Sequence, residues 1–377
     1  AFTIHKFIYR QERLGKESFS IADNRFRQTL FIVDEASMIS AERDNPTFGT
    51  GCLLDDLIHF VYSGEGCSLL LLGDDAQLPP VGQESSKALN TEYLTGFGLS
   101  VSSGTLTEVA RQALESGILA NATMLRDSYF HYDELADKNI ESILKSIREA
   151  PDVHRLKGGD ELLEQLERSY REAGMEETLI LTRTNRRTNL YNQGVRARIM
   201  WKEDAISSGD RLMVCKNNYF WTEQYEGLPF LANGDMLDIV RLRNEREMYG
   251  FHFIDASLRS VDYDWEIDVI LWLDTLTTDN PDAGYELQKR LFGEIAKDYP
   301  EIHNQREMWK TIMRSPYYNA LQARFAYSVT CHKAQGGQWK HVYIDPGFVA
   351  DSAPDRTWVR WLYTAITRAT EQVFLLT

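Results

Sequence analysis

Two adjacent carboxylates, Asp34 and Glu35, close the apolar run of TLFIVDEASM at 29–38. Nucleoside-triphosphate hydrolysis needs such a pair at the exit of a buried strand. One carboxylate holds Mg²⁺ through its water shell, and the other orients or deprotonates the attacking water. Taken alone, a strand ending in a solvated acidic turn would look the same. Further along, LLLLGDDAQLPPVGQ at 69–83 is another apolar run, ending in Gly73-Asp74, with Gln77 set before the rigid Pro79-Pro80. A neutral amide beside a γ-phosphate can report it by hydrogen bonding without adding charge. Two arginines are candidate phosphate contacts: Arg111 in LTEVARQ (106–112), and Arg368 in WLYTAITRATEQVFLL (361–376). Arg368 is expected near the start of a helical turn, where it could act as an arginine finger. The plain alternatives are a helix-surface arginine for Arg111 and a surface salt bridge for Arg368.

A different chemistry is written in YSVTCHKAQGGQWKHVYID at 327–345. Thr330, His332 and Lys333 stand beside the flexible Gly336-Gly337. A hydroxyl, an imidazole and an ammonium at a glycine turn can hold a nucleic-acid phosphate without reading bases. For His332 alone, a packed structural histidine is the commoner explanation.

The elements that must position these groups can be read from periodicity. Residues 29–33 and 68–72 are expected as buried parallel strands, with a helix over CLLDDLIHFVYS (52–63) between them. Strand, helix, strand in this order implies a doubly wound α/β layer with its ligand at the strand carboxyl ends. Helices are expected at 117–126 and 160–174, the second closing on Gly174. The strand TLILT (178–182) and a helix over 185–200 suggest a second α/β unit. From about 206 to 275 the chain alternates and is broken by Asn-Gly and Gly-Asp turns, the texture of a small inserted barrel. An acidic helical stretch follows to 317, and VYID (342–345) and VFLLT (373–377) are final strands.

The chain of 377 residues carries 41 basic and 56 acidic side chains, a net charge of -15. That balance excludes a protein that holds nucleic acid by bulk charge, but not a local basic track. Residues 261–302 hold 11 acidic and 3 basic side chains, whereas 318–377 hold 6 basic and 4 acidic. Cys52, Cys67, Cys215 and Cys331 form no CxxC pair, which points to a reducing compartment and a cytoplasmic location. No apolar run reaches the length of a membrane span.

In this order, DEAS, GDDAQLPPVG, VTCHKAQGGQW and YTAITRA resemble motifs II, III, V and VI of superfamily 1 DNA helicases. FTIHKF (2–7) resembles motif Ia and the Arg-Gln of VARQ motif IV. RTNRRTNLYNQ (183–193) and GDRLMVCKNNY…FLANGD (209–235) resemble the RecD-like branch, that of exodeoxyribonuclease V alpha subunits. The resemblance implies an α/β protein with two RecA-like P-loop NTPase-type domains and a small SH3-like β-barrel in the second. The expected division is 1–108, then 109–205 with 318–377, with 206–317 inserted.

It further implies an ATP- and Mg²⁺-dependent helicase moving 5′ to 3′ on single-stranded DNA in repair or recombination, opening and closing its cleft with each ATP. Single strands and duplex junctions would be its partners, with proteins of a repair complex besides, and no membrane. Asp34 (the metal ligand) and Glu35 would serve Mg²⁺ and water, Gln77 would sense the γ-phosphate, and Arg111 and Arg368 would reach it. Gly336 and Gln338 would face the nucleotide. Many relatives carry Glu where Gln338 stands, and Gln can still hydrogen-bond a sugar hydroxyl. Thr3, His5, Thr330, His332 and Lys333 would line the strand track. A duplex-splitting hairpin would fall at 10–28, with Asp23-Asn24 as its turn and Phe19 or Phe26 as a wedge.

One departure matters. The phosphate loop GxxxxGK[ST] that precedes motif Ia is absent from this sequence, and loss of a preceding segment is the expected cause. The alternative reading is therefore a non-catalytic nucleic-acid-binding fragment. A nuclease finds no separate cluster of carboxylates to support it.

Overall fold

A computed structural model describes residues 3–11, 19–43, 48–106, 116–132, 140–223, 225, 228, 230–278, 283–347 and 355–377. The chain divides into two compact units, Ala1–Ser146 with Asp351–Thr364 and Ile147–Ala350 with Ala365–Thr377. Relative to the division expected from sequence, 116–146 and 356–364 group with the first unit. The guanidinium of Arg360 stacks 5.1 Å from the Tyr129 ring, one of the contacts that hold them there.

The first unit opens with α1 (Ile4–Ile8), which runs into β1 (Tyr9–Gln11), antiparallel to β2 (Phe19–Ile21). Then β3 (Leu30–Val33), α2 (Leu53–Tyr62) and β4 (Ser68–Leu71) make the expected strand–helix–strand, with β3 and β4 parallel. The short α3 (Thr91–Thr95), α4 (Gly117–Phe130) and α5 (Ile140–Ser146) follow. In α2, Leu54, Leu57, Ile58 and Val61 are buried at helical spacing. Asp56 is buried among them and is satisfied by Tyr9 Oη at 2.7 Å and by the Thr50 hydroxyl at 2.7 Å.

Two expectations are corrected here. The runs 29–33 and 68–72 are not buried on both faces: Phe31 packs edge-on against Phe7 and Phe60, whereas Leu30 is 56% and Ile32 62% exposed. Only one face of the strand pair is covered among the described residues. Asp23-Asn24 is not a hairpin turn either, because it follows β2. Asn24 instead donates to the Phe60 and Val61 carbonyls at the end of α2. Phe19 is buried and stacked on Phe48, so it is no wedge, while Phe26 is 46% exposed. The span between β1 and β2 lies outside the described residues.

The second unit carries β5 (Val153–Leu156), α6 (Asp160–Glu172), β6 (Thr178–Thr182) and α7 (Asn185–Arg198). The antiparallel strands β7 (Arg211–Val214), β8 (Met236–Met248), β9 (Phe251–Ser260) and β10 (Glu266–Trp272) come next, then helices α8 (Ala283–Ala296) and α9 (Gln305–Ile312). The chain returns through β11 (Ala323–Phe325), β12 (Ser328–Thr330), β13 (Trp339–Asp345), α10 (Arg356–Ile366) and β14 (Ala369–Leu376). The parallel sheet has the order β12-β6-β13-β14-β5, and every residue of β6 is buried, as a two-sided sheet requires. Thr184 caps α7 by accepting from Arg187 N at 3.3 Å, and α6 is followed by Gly174 at φ +92°, a left-handed stop.

The second sheet has the order β10-β9-β8-β7-β11 and closes on itself. Trp272 N donates to Leu321 O at 3.1 Å, and Leu321 N donates to Ile270 O at 2.7 Å, just ahead of β11. One apolar core joins the two sheets, with Ile180, Tyr343 and Phe374 from the parallel sheet and Leu237, Leu258 and Leu271 from the closed one.

At their junction Asp210 is fully buried. It accepts from Lys202 Nζ at 2.8 Å, Tyr327 Oη at 2.8 Å and Ser207 N at 2.8 Å, and pairs with Arg196 at 3.1 Å. Burial alone would raise its carboxyl, but these donors outweigh it and hold the pKa below the ordinary 3.8. A depressed folded-state pKa adds stability that is present above the ordinary value and is lost as pH falls through the folded one. Asp210→Ala is expected to cost about 3–5 kcal/mol at pH 7 by urea unfolding, because it strands buried cations. A cost below about 1 kcal/mol would mean that the network holds nothing together.

Candidate functional site

In the first unit the DEAS and GDDAQ segments fold as one piece. Chain leaving β3 reaches Glu35 in the left-handed region, φ 53° and ψ 38°, a strained conformation for a non-glycine residue. Glu35 N donates to the Asp34 carboxylate at 2.9 Å, and Ala36 N donates to Leu72 O at 2.7 Å. Gly73 lies so close that an added Cβ would sit 2.8 Å from Ser37 N. The buried Ser86 hydroxyl then donates to Ala36 O at 3.0 Å and to Ile39 O at 3.1 Å. Asp34 is exposed and Glu35 half-buried at the surface of this knot. Gln77 is 9% exposed, and its Oε1 is buried with no hydrogen-bond partner among the described residues, as is Ser37 Oγ. Buried polar atoms without partners mark a place where a ligand or water belongs.

The 73–84 loop is held by a helix that the sequence reading did not use for this purpose. Arg360 on α10 is buried, and its guanidinium donates to Gln77 O at 2.7 Å, Asp75 O at 2.8 Å and Glu84 O at 2.5 Å. Tyr363 Oη donates to Asp74 at 2.6 Å, and Leu78 N donates to Thr364 Oγ1 at 2.9 Å. Burial lowers the Arg360 pKa, but a guanidinium stays protonated and brings a fixed fork of donors. The signal was available: after Thr357, Arg360, Tyr363 and Thr364 form a polar i, i+3, i+4 stripe on an otherwise apolar stretch of the helix.

Arg111 lies outside the described residues. Thr3 caps α1 by accepting from Lys6 N at 3.4 Å. His5 packs edge-on to Phe48 at 5.0 Å and tilted to Tyr9, and burial lowers its pKa against an opposing pull from Asp56.

In the second unit, Thr330 ends β12 and caps the turn that holds His332 and Lys333. Burial lowers the pKa of both His332 and Lys333. Lys333 is nevertheless exposed by surface area, and its Nζ donates to Asn233 Oδ1 at 2.6 Å. A cavity of about 390 Å³ opens elsewhere on β8–β10, but the one of about 270 Å³ is lined by Thr330, Lys333, Asn233 and Asn185 at the start of α7. It brings two of the expected strand contacts together, while His332 is not among its lining residues. Gly336 takes φ +81°, and Gly337 has no room for a Cβ against the Trp339 ring. Gln338 is exposed. Arg368 is not at a helix start: it follows α10 in the turn before β14, is buried, and donates to Gly337 O at 3.2 Å.

Among the described residues no group of three or more His, Cys, Asp or Glu side chains could hold a metal by itself. Asp34 and Glu35 suit Mg²⁺, which takes one or two carboxylates together with substrate phosphates. The sequence given contains no GxxxxGK[ST] motif. Asp34 and Glu35 are thus the residues that would hold the metal.

Residues 325–376 match the family model of the UvrD-like helicase C-terminal domain. The chain is 22% identical over 423 aligned residues to an uncharacterized protein of Acanthamoeba polyphaga mimivirus, covering 98% of this chain and 81% of that one. Among solved structures it is similar to Pif1 helicase from Candida albicans, at 15% identity and a TM-score of 0.42, over 93% of this chain and 72% of that one. It is also similar to Pif1 helicase from Bacteroides in complex with ADP-AlF3 and ssDNA, at 14% identity and a TM-score of 0.37, over 92% of this chain and 70% of that one. No helix among the described residues is long and apolar enough to cross a membrane.

Arg360→Ala is expected to lower the unfolding free energy of the first unit by about 3 kcal/mol or more, since the buried Gln77 carbonyl and the part-buried carbonyls of Asp75 and Glu84 lose a charged donor. Arg360→Lys should recover little, because an ammonium cannot reproduce the fork. Urea unfolding with proteolytic nicking at 73–84 checks this, and a lysine variant of wild-type stability would contradict it.

Proposed function

We propose that this chain is the motor part of an ATP-dependent DNA helicase of superfamily 1, in the RecD-like branch, moving 5′ to 3′ on single strands. One observation carries the reading. The segment matched to a helicase C-terminal domain contains Arg360, and Arg360 grips the loop that bears Gln77, beside Asp34 and Glu35. A helicase-type element is thus bonded to a knot of residues suited to hydrolysing a nucleoside triphosphate.

In this proposal Asp34 holds Mg²⁺, which when bound neutralises phosphate charge, and Glu35 takes the proton of the attacking water. Gln77 donates its side-chain N–H to the γ-phosphate, and Arg111 and Arg368 supply positive charge to it. Gly336 and Gln338 face the nucleotide. Thr330, His332 and Lys333, with Thr3 and His5, hold the strand by its phosphates, reading no bases. The closed sheet at β7–β11 takes the part of the SH3-like insertion. DNA repair or recombination is the proposed setting.

In the natural protein, Glu35→Gln should abolish DNA-stimulated ATP hydrolysis and leave single-strand binding intact. Normal turnover in that variant would remove the assignment. Lys333→Ala should weaken binding of all single-stranded sequences alike and reduce the salt slope by about 1, as measured by anisotropy across a salt series. Loss confined to some sequences would contradict a phosphate contact.

The second reading, a non-catalytic strand-binding module, rests on the absence of GxxxxGK[ST] from this sequence. ATPase assay of the 377-residue chain separates the two readings. DNA-stimulated turnover by this chain excludes the second.

A further inference from the structure

Helices α8 and α9 pack against the closed sheet through Leu291, Ile295 and Ile312, which meet Phe251, Phe253 and Trp272. At the edge of that contact lies an open groove of about 620 Å³, and its lining residues Phe292 and Met308 also rest against this core. Phe292, Ile302, Met308 and Trp309 give it an apolar lining, and Trp309 is 41% exposed. Arg306 and Lys310, one helical turn apart on α9, stand on its rim with His303. Neither Arg306 nor Lys310 has an ion-pair partner among the described residues.

We propose that this groove docks a partner polypeptide segment in which apolar residues adjoin a short run of carboxylates. The apolar side chains fill the trough beside Trp309, and the carboxylates meet Arg306 and Lys310. The argument is charge complementarity. The span 305–314 holds Arg306, Lys310 and Arg314 against Glu307 alone, whereas 261–302 just before it holds 11 acidic and 3 basic side chains. The apolar trough beside these cations suits a peptide's side chains, which a sugar-phosphate backbone does not offer. Aromatic, Met and Arg side chains are the types that anchor protein interfaces. The groove shares no residue with the proposed ATP and strand sites, so the inference does not depend on them.

The test uses the full chain and a fluorescein-labelled peptide, four aspartates followed by Leu-Leu-Phe, read by anisotropy. The aspartate peptide should bind at least about tenfold more tightly than its counterpart headed by four lysines. Trp309→Ala and the exposed pair Arg306→Glu with Lys310→Glu should each weaken it by about tenfold or more, without changing the thermal unfolding midpoint. No binding at about 1 mM peptide, or equal binding of the lysine peptide, overturns the proposal. So does unchanged affinity in the variants. Displacement of the peptide by an oligonucleotide whose own binding is lost in the same variants would assign the groove to nucleic acid instead. Self-association abolished by Trp309→Ala would assign it to a second copy.

Discussion

One guanidinium carries much of the first unit's organisation. The 73–84 loop has no regular structure through which its carbonyls could be paired, and a buried carbonyl left unpaired is costly. Arg360 satisfies three of them from a single direction, and the fork geometry fixes where they lie. Gly73 then lets the same loop touch the backbone after Glu35, so the carboxylate pair inherits its position from the clamp. Glu35 can occupy a strained left-handed conformation because its neighbours on both sides are tied, Asp34 through Glu35 N and Ala36 through Leu72.

The second unit uses a buried charge for a different purpose. Asp210 gathers Arg196, Lys202 and Tyr327, and so joins α7, the entry to β7 and the approach to β12 at one point. A closed antiparallel sheet and an open parallel one share a core there, and the fixed junction sets where Asn233 meets Lys333. α10 begins on the first unit's loop, and the chain that continues from it carries Arg368 into the second unit, buried against Gly337. One continuous stretch of chain therefore links the helix that holds the Gln77 loop to Arg368.

The candidate residues are easier to pick out in the sequence than the support beneath them. Asp34-Glu35, Gln77 and the Thr330–Lys333 run announce themselves by residue type at the end of apolar runs, and strand–helix alternation places them without tertiary knowledge. β6, α7 and the alternating strands of the closed sheet follow from periodicity for the same reason. Hydrophobicity, however, does not say what covers a strand, so Leu30 and Ile32 were expected inside and are exposed. Asp23-Asn24 has turn chemistry but serves to cap α2 through the Asn24 side chain. β5, in DVHRLKGG, is too short and polar to stand out from sequence, and its pairing with β14 decides it. The polar stripe of Arg360, Tyr363 and Thr364 marks a buried polar contact, but its partners are backbone groups far away in the chain, which no local pattern names.

If the carboxylate pair and the Gln77 loop form one nucleotide-responsive unit, they respond together to nucleotide. In amide hydrogen exchange of the natural protein, with and without Mg²⁺, ADP and aluminium fluoride, 34–39 and 73–84 should gain protection together. Protection of one segment without the other, or of neither while nucleotide is bound, would contradict it.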